Sequence, residues 1–179
     1  MRTSFHRVSA AAAALVLSLA IGHAKIERLT LAQMVQRADD CVVGRIVESA
    51  VFRVDHPIDG AELYFTRLTI EGRSLYAGSA ISVPVTFAGG MLPGGEGVWN
   101  SDAPSAAETR VANEVVVFYK WTDNMGGGVA ANALYCAHGG LYRVVRTRKG
   151  DFVLGRGEGY AIDGNAKLVD LEQQVARLR

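Results

Sequence analysis

From Cys41 to Leu154 turn-forming residues cut the chain at short intervals, and between the cuts lie runs rich in valine, isoleucine, threonine and aromatic residues. This rhythm limits the fold more than any other feature. Segments this short are poor helices in water but serviceable strands, whose side chains alternate between two faces. No strand is followed by an amphipathic helix of the length a parallel crossover needs, so a doubly wound α/β sheet is excluded.

Each segment reads on its own terms. Cys41–Val47 is apolar on both faces and predicts a buried strand, with Gly44 marking a bulge or sharp coil, and the run extends toward Val54. His56–Gly60 is a turn. Leu63–Glu71 alternates, with Tyr64, Thr66, Leu68 and Ile70 on one face. Ile81, Val83, Val85 and Phe87 alternate with polar residues and Pro84, which has no N–H to give a ladder and so belongs at an edge or a break. Glu114–Tyr119 is the most continuous apolar run here and predicts the most buried strand. Leu134–Ala137 is a short strand. Leu141–Arg148 and Phe152–Leu154 form a hairpin about Lys149–Asp151. The irregular stretch Ala88–Asn113 is long for a connection in a compact domain, and such loops are commonly functional.

Two helices bracket the strands. Thr30 with Gln33 makes a capping box ahead of an apolar stripe at Leu31, Met34, Val35 and Ala38, and Asp39-Asp40 oppose the helix dipole and stop it. Near the end, Asp170 and Gln173 repeat the capping spacing before the stripe Leu171, Val175 and Leu178. Together the pieces predict a mainly β domain, a barrel or sandwich of five to seven strands flanked by an N-terminal and a C-terminal helix.

Residues 1–24 read as a removable export signal. Arg2 and Arg7 form a basic start, Val8–Ile21 a short apolar run, and Gly22-His23-Ala24 a cleavage site with small residues at the required positions. The apolar run is shorter than the ~20 residues a membrane span requires. The predicted mature chain, 25–179, is one domain. Two of the 19 basic residues fall in the signal, so the remainder opposes 18 acidic ones with one net negative charge, which gives no general attraction to polyanions. Export to an oxidising compartment, periplasmic or extracellular, predicts that Cys41 and Cys136 pair as a disulfide closing a loop of almost a hundred residues, worth about 4 kcal/mol.

Catalytic chemistry has few parts to work with. His56 and His138 are the only histidines after the signal, too few for a multi-histidine metal site, and Cys136-Ala137-His138 alone is a weak ligand set. The pair Asp39-Asp40 reads as a solvated helix end. Gly94-Gly95-Glu96-Gly97 and Gly155-Arg156-Gly157-Glu158-Gly159 lack the flanking pattern of a phosphate loop. No metal and no cofactor is expected. Trp99, with Met91 and Leu92, is the expected contact set for a partner protein, since aromatic residues dominate binding hot spots. Trp99 could equally fold back as a lid over the barrel. Arg143, Arg146, Arg148, Lys149 and Arg156 form a basic cluster around the hairpin, able to face a polyanion or to guard a strand edge.

Several segments carry a resemblance: Ala38-Asp39-Asp40-Cys41-Val42-Val43-Gly44-Arg45-Ile46-Val47, the Tyr64–Ile70 strand, Leu75-Tyr76-Ala77-Gly78, Gly89-Gly90, Asn113–Phe118 and Gly140-Leu141-Tyr142-Arg143-Val144. In this order, over most of 30–162, the chain resembles the secreted OB-fold-like barrels of the netrin-module and tissue-inhibitor-of-metalloproteinase type, and exported bacterial proteins of the same layout. The resemblance implies a small antiparallel OB-like barrel and a non-catalytic binding or inhibitor-like role. It departs at one point: the inhibitors chelate protease zinc with an N-terminal cysteine, whereas here the expected first residue is Lys25 and the first cysteine is Cys41. A structural envelope role without a ligand and a polyanion-binding role stand as alternatives. Mass analysis of the exported protein should find an N-terminus at or close to Lys25, and an intact Met1 would contradict the signal.

Overall fold

The computed structural model describes residues 28–179, and the expected export signal lies outside them. The chain is mainly β. Helix α1 (Leu31–Arg37) precedes β1 (Asp40–His56), β2 (Gly60–Ser74), β3 (Ala80–Ala88) and the two-residue strands β4 (Gly90–Met91) and β5 (Gly97–Val98). Then come β6 (Glu114–Thr122), β7 (Ala131–Leu134), a 3₁₀ turn (Ala137–Gly140), β8 (Leu141–Thr147), β9 (Gly150–Val153), β10 (Ala166–Lys167) and helix α2 (Leu168–Leu178).

Five strands close a barrel in the order β1-β2-β3-β7-β6, and β6 returns to pair with β1. The sequence led to the expectation of an antiparallel barrel, but the barrel is mixed, because β3 and β7 run parallel and meet at the single registered pair Thr86↔Ala133. Pro84 lies beside this seam. It pairs across to Thr69, and its carbonyl accepts the Asn132 side-chain N–H. The far side of β6 is shared, its first half pairing with β8 and its second with β7. Strands β8, β9 and β10 thus extend outward as a flap, which raises the strand total above the five to seven read from the sequence.

The closing ladder, Asp40–Arg45 against Glu114–Tyr119, is where the two cores meet. Val42, Ile46, Val115, Val117 and Tyr119 join Leu68, Ile70, Val83, Val85 and Phe87 to fill the barrel. The alternate residues Cys41, Val116 and Phe118 turn the other way, into a second core with Met34 and Val35 of α1, Leu171 and Val175 of α2, Tyr142 and Val153. Helix α1 keeps its capping box, Thr30 receiving the Gln33 N–H and Gln33 the Thr30 N–H. Helix α2 starts earlier than its capping spacing indicated: Lys167 is the cap residue and Asp170 sits in the first turn, where its charge still favours the dipole.

Cys41 and Cys136 are not joined by a disulfide, contrary to the sequence expectation. Cys41 pairs with Phe118 on β6, and Tyr135 donates its N–H to the Phe118 carbonyl from the other side. The β6 backbone at Phe118 thus stands between Cys41 and the segment that carries Cys136. Burial drives the Cys41 thiol pKa well up, with Asp40 and Glu172 adding to it, so the sulfur packs as a small apolar group.

Gly44 faces Gly72 across the β1–β2 ladder. A Cβ on Gly44 would press on the Glu71 carbonyl, and one on Gly72 on the Val43 carbonyl. The glycine pair therefore allows the close coil, whereas the bulge lies beyond it, between Ile46 and Glu48. Gly44→Ala should destabilise the fold by about 1–3 kcal/mol in urea unfolding, since backbone and not a flexible side chain blocks the methyl. An unchanged midpoint would show that the hairpin can loosen there without cost.

Candidate functional site

The 88–113 segment caps one end of the barrel and is bordered by two clefts, of about 570 Å³ and 380 Å³. It is a fixed structure. Thr66 Oγ donates to Gly89 O at 2.7 Å, and Gly89 N–H donates to Tyr64 O at 2.7 Å, which anchors its start. Asn100 Nδ2 returns to Ala88 O at 3.0 Å. At its end, Ala112 N–H donates to Ile46 O at 2.8 Å, and Asn113 O accepts from Ile46 N–H at 3.0 Å.

Two polar clamps hold its middle. The first is His138. Its backbone N–H donates to Asp102 O at 2.8 Å, and its Nδ1 lies 3.1 Å from the same oxygen. A carbonyl can only accept, so Nδ1 carries the proton. In the neutral ring Nε2 is then the acceptor for the Tyr160 hydroxyl, 2.8 Å away. The 3₁₀ turn that presents His138 opens on two non-glycine residues with left-handed φ, its cap residue Cys136 at 57° and its first residue Ala137 at 53°. Such backbone costs on the order of 1–2 kcal/mol per residue, and the packed surroundings hold it.

The second clamp is Glu108. Its Oε2 accepts both the backbone N–H and the hydroxyl of Ser105 at 2.8 Å, and its Oε1 pairs with the Arg156 guanidinium. Arg156 in turn donates to Leu141 O from Nε and Nη2, at 3.1 and 2.8 Å, and lies over the Tyr142 ring. Partial burial pulls the Glu108 pKa up, but the Ser105 hydrogen bonds and the Arg156 charge outweigh it, so the carboxyl lies below the ordinary glutamate value.

The expected contact residues separate. Trp99 borders both clefts and is 83% exposed, so it does not fold back as a lid. Met91 lines the larger cleft with it, on the β4–β5 hairpin. Leu92 lies in the tight turn beyond, half-buried, its carbonyl accepting the Gly94 and Gly95 N–H groups. Val98 and Val111, exposed on the same segment, also line the larger cleft and were not singled out in the sequence.

The basic cluster disperses as well. Arg148 and Lys149 are exposed at the hairpin tip. Arg146 pairs with Glu114 and Asp151. Arg143 is half-buried on the flap, with its Nε buried and lacking a hydrogen-bond partner among the described residues. Arg156 is the clamp described above. Nothing local in the sequence marks the Glu108–Arg156 or Asp102–His138–Tyr160 contacts, because they join residues tens of positions apart. Among the described residues no group of three or more histidine, cysteine, aspartate or glutamate side chains could hold a metal ion.

Comparison with protein-family models, with curated proteins and with solved structures finds no match.

Because the folded Glu108 carboxyl ionises more readily than it would in an unfolded chain, its ionised form favours the clamped loop. That contribution is complete above the ordinary glutamate pKa of about 4.3 and is lost as pH falls through the lower folded value. Tryptophan fluorescence followed from about pH 6 down to about pH 3 should show loop release in the native protein, and Glu108→Gln should remove that transition. The same transition in both proteins would place the acid-sensitive group elsewhere.

Proposed function

We propose that this chain is an exported, non-catalytic binding module that holds a protein partner through the 88–113 segment. One observation carries the reading: Met91, Val98, Trp99 and Val111, half of the large apolar side chains exposed among the described residues, all come from this segment. Exposed apolar side chains gathered beside concave clefts are the usual mark of an interaction site. The clamps at Asp102 and Glu108 add to the argument, since a contact surface ordered in advance loses less entropy on binding.

The finer reading of the barrel as OB-like belongs to the same proposal, along with the likeness to netrin-module and inhibitor barrels. Its support is the strand order. The run β6-β1-β2-β3 is a Greek key, with the fourth strand returning by a long connection to lie beside the first, and β7 closes the ring between β6 and β3. The long connection is the 88–113 segment itself, so the element that makes the topology also carries the exposed side chains. A polyanion-binding role draws less support, because Arg146 and Arg156 are neutralised by acidic partners.

Affinity capture from the exported fraction, with the full chain as bait, tests the proposal. Trp99→Ala should weaken retention of the captured protein by about 2 kcal/mol or more, roughly thirtyfold in affinity, with an unchanged circular dichroism spectrum. Equal retention by both forms would remove the segment from the interface.

A further inference from the structure

The barrel wall between β1 and β6 is complete only as far as Ile46. The ladder between them covers Asp40–Arg45, and Ile46 ends the contact by bonding to Ala112 and Asn113. Beyond that point β1 runs on to His56, paired among the described residues with β2 alone.

The register shows which backbone groups this leaves. Tyr64 gives its carbonyl to Gly89 and Ser74 gives its N–H to Ser79, so even-numbered residues of β2 turn toward β3 and odd-numbered ones toward β1. Glu48, Ala50 and Phe52 lie opposite Thr69, Arg67 and Phe65 and bond inward to them. Ser49, Val51 and Arg53, opposite Leu68, Thr66 and Tyr64, turn their N–H and C=O groups to the other edge, where no strand pairs among the described residues.

Ser49 and Val51 also line the 570 Å³ cleft, and Thr109, Arg110 and Val111 stand on it as well. The cleft therefore lies along an open strand edge. Its charge is uneven. Glu108 and Arg156 neutralise each other, whereas Arg110 is exposed and has no ion-pair partner among the described residues.

We propose that the outer edge of β1, at Ser49, Val51 and Arg53, accepts an extended segment of the partner protein as an added antiparallel or parallel strand, with alternate apolar side chains in the cleft and a carboxylate at Arg110. Main-chain hydrogen bonds supply affinity in such strand addition, and pockets for alternate side chains supply selectivity. The edge from Ser49 to Arg53 accommodates about 16 Å of extended chain. A backbone edge is complemented by another backbone, and Arg110, without an ion-pair partner among the described residues, calls for an acidic side chain or a C-terminal carboxylate. The proposal rests on the reading of the 88–113 segment as the contact surface and names what that surface takes.

A phage-displayed library of random linear dodecapeptides, selected on the full chain, provides the probe. Enriched sequences are then synthesised with free and with amidated C-termini. Val51→Thr, which keeps the outward N–H, should bind within about twofold of the native protein, and Val51→Pro, which removes that N–H and leaves the β2 ladder bonds in place, should bind at least about tenfold more weakly. Arg110→Gln should weaken binding too. A matching loss on amidation identifies a C-terminal carboxylate, and no loss identifies an acidic side chain. In the native protein, peptide should slow amide exchange at Ser49, Val51 and Arg53 in NMR, a readout that holds even if Val51→Pro fails to fold. No enrichment, unprotected amides with bound peptide, or peptide affinity that survives Val51→Pro would overturn the proposal. So would protection before peptide is added, which would give the edge to the chain itself or to a second copy. Trp99→Ala separates the two readings: peptides sensitive to it but not to Val51→Pro would leave the contact surface standing and remove the added strand, and peptides sensitive to neither would remove both.

Discussion

The ladder between β1 and β6 feeds side chains to two cores at once, and the other parts of the molecule are arranged around it. In an extended strand successive residues point to opposite sides, so a strand covered on both sides must be apolar throughout. Val115, Val117 and Tyr119 enter the barrel, while Val116 and Phe118 meet the helices. Neither core can form without the same backbone in place. The helices add no wall to the barrel; they cover the outer side of β6 and the flap, and Arg73 ties α2 back to β2 through Glu172 at 2.7 Å.

This double burial is the part of the fold most visible in the sequence. The unbroken apolar runs Cys41–Val47 and Glu114–Tyr119 contrast with the alternation in Ile81–Phe87, and that contrast separates two-sided from one-sided strands before any pairing is known. The capping box at Thr30 and the break at Pro84 are equally local, and both are found where their chemistry requires. Pairing partners are another matter. That β6 divides one edge between β7 and β8, and that β3 runs parallel to β7, follows from how distant segments meet, which no local pattern encodes. The cysteines show the same limit: compartment and number suggest a bridge, whereas in the structure the two are unlinked and the β6 backbone stands between Cys41 and the segment of Cys136.

The candidate site was legible in its exposed half only. Trp99 and Met91 stand out as large apolar residues within a glycine-rich connection. The polar half reads misleadingly, because Arg156 looks like one more member of a basic hairpin surface and His138 like an incidental turn residue. In the folded chain each crosses to the 88–113 segment and fixes it, Arg156 through Glu108 and His138 through Asp102. A partly buried guanidinium with a carboxylate and a carbonyl to receive its protons is well satisfied, and removing one member would strand the other.

The parallel seam carries a consequence of its own. Four of the five junctions around the ring are long ladders or several paired residues, but β3 and β7 share the one pair Thr86↔Ala133, and the buried Thr86 hydroxyl there has no hydrogen-bond partner among the described residues. A cylinder joined so unevenly has a preferred line of parting. Separating the wall along this line costs fewer ladder bonds than at any other junction, and water admitted there would meet an alcohol group that gains a bond. Opening along this line would break the fewest registered backbone pairs of the ring and would leave the double-faced ladder intact.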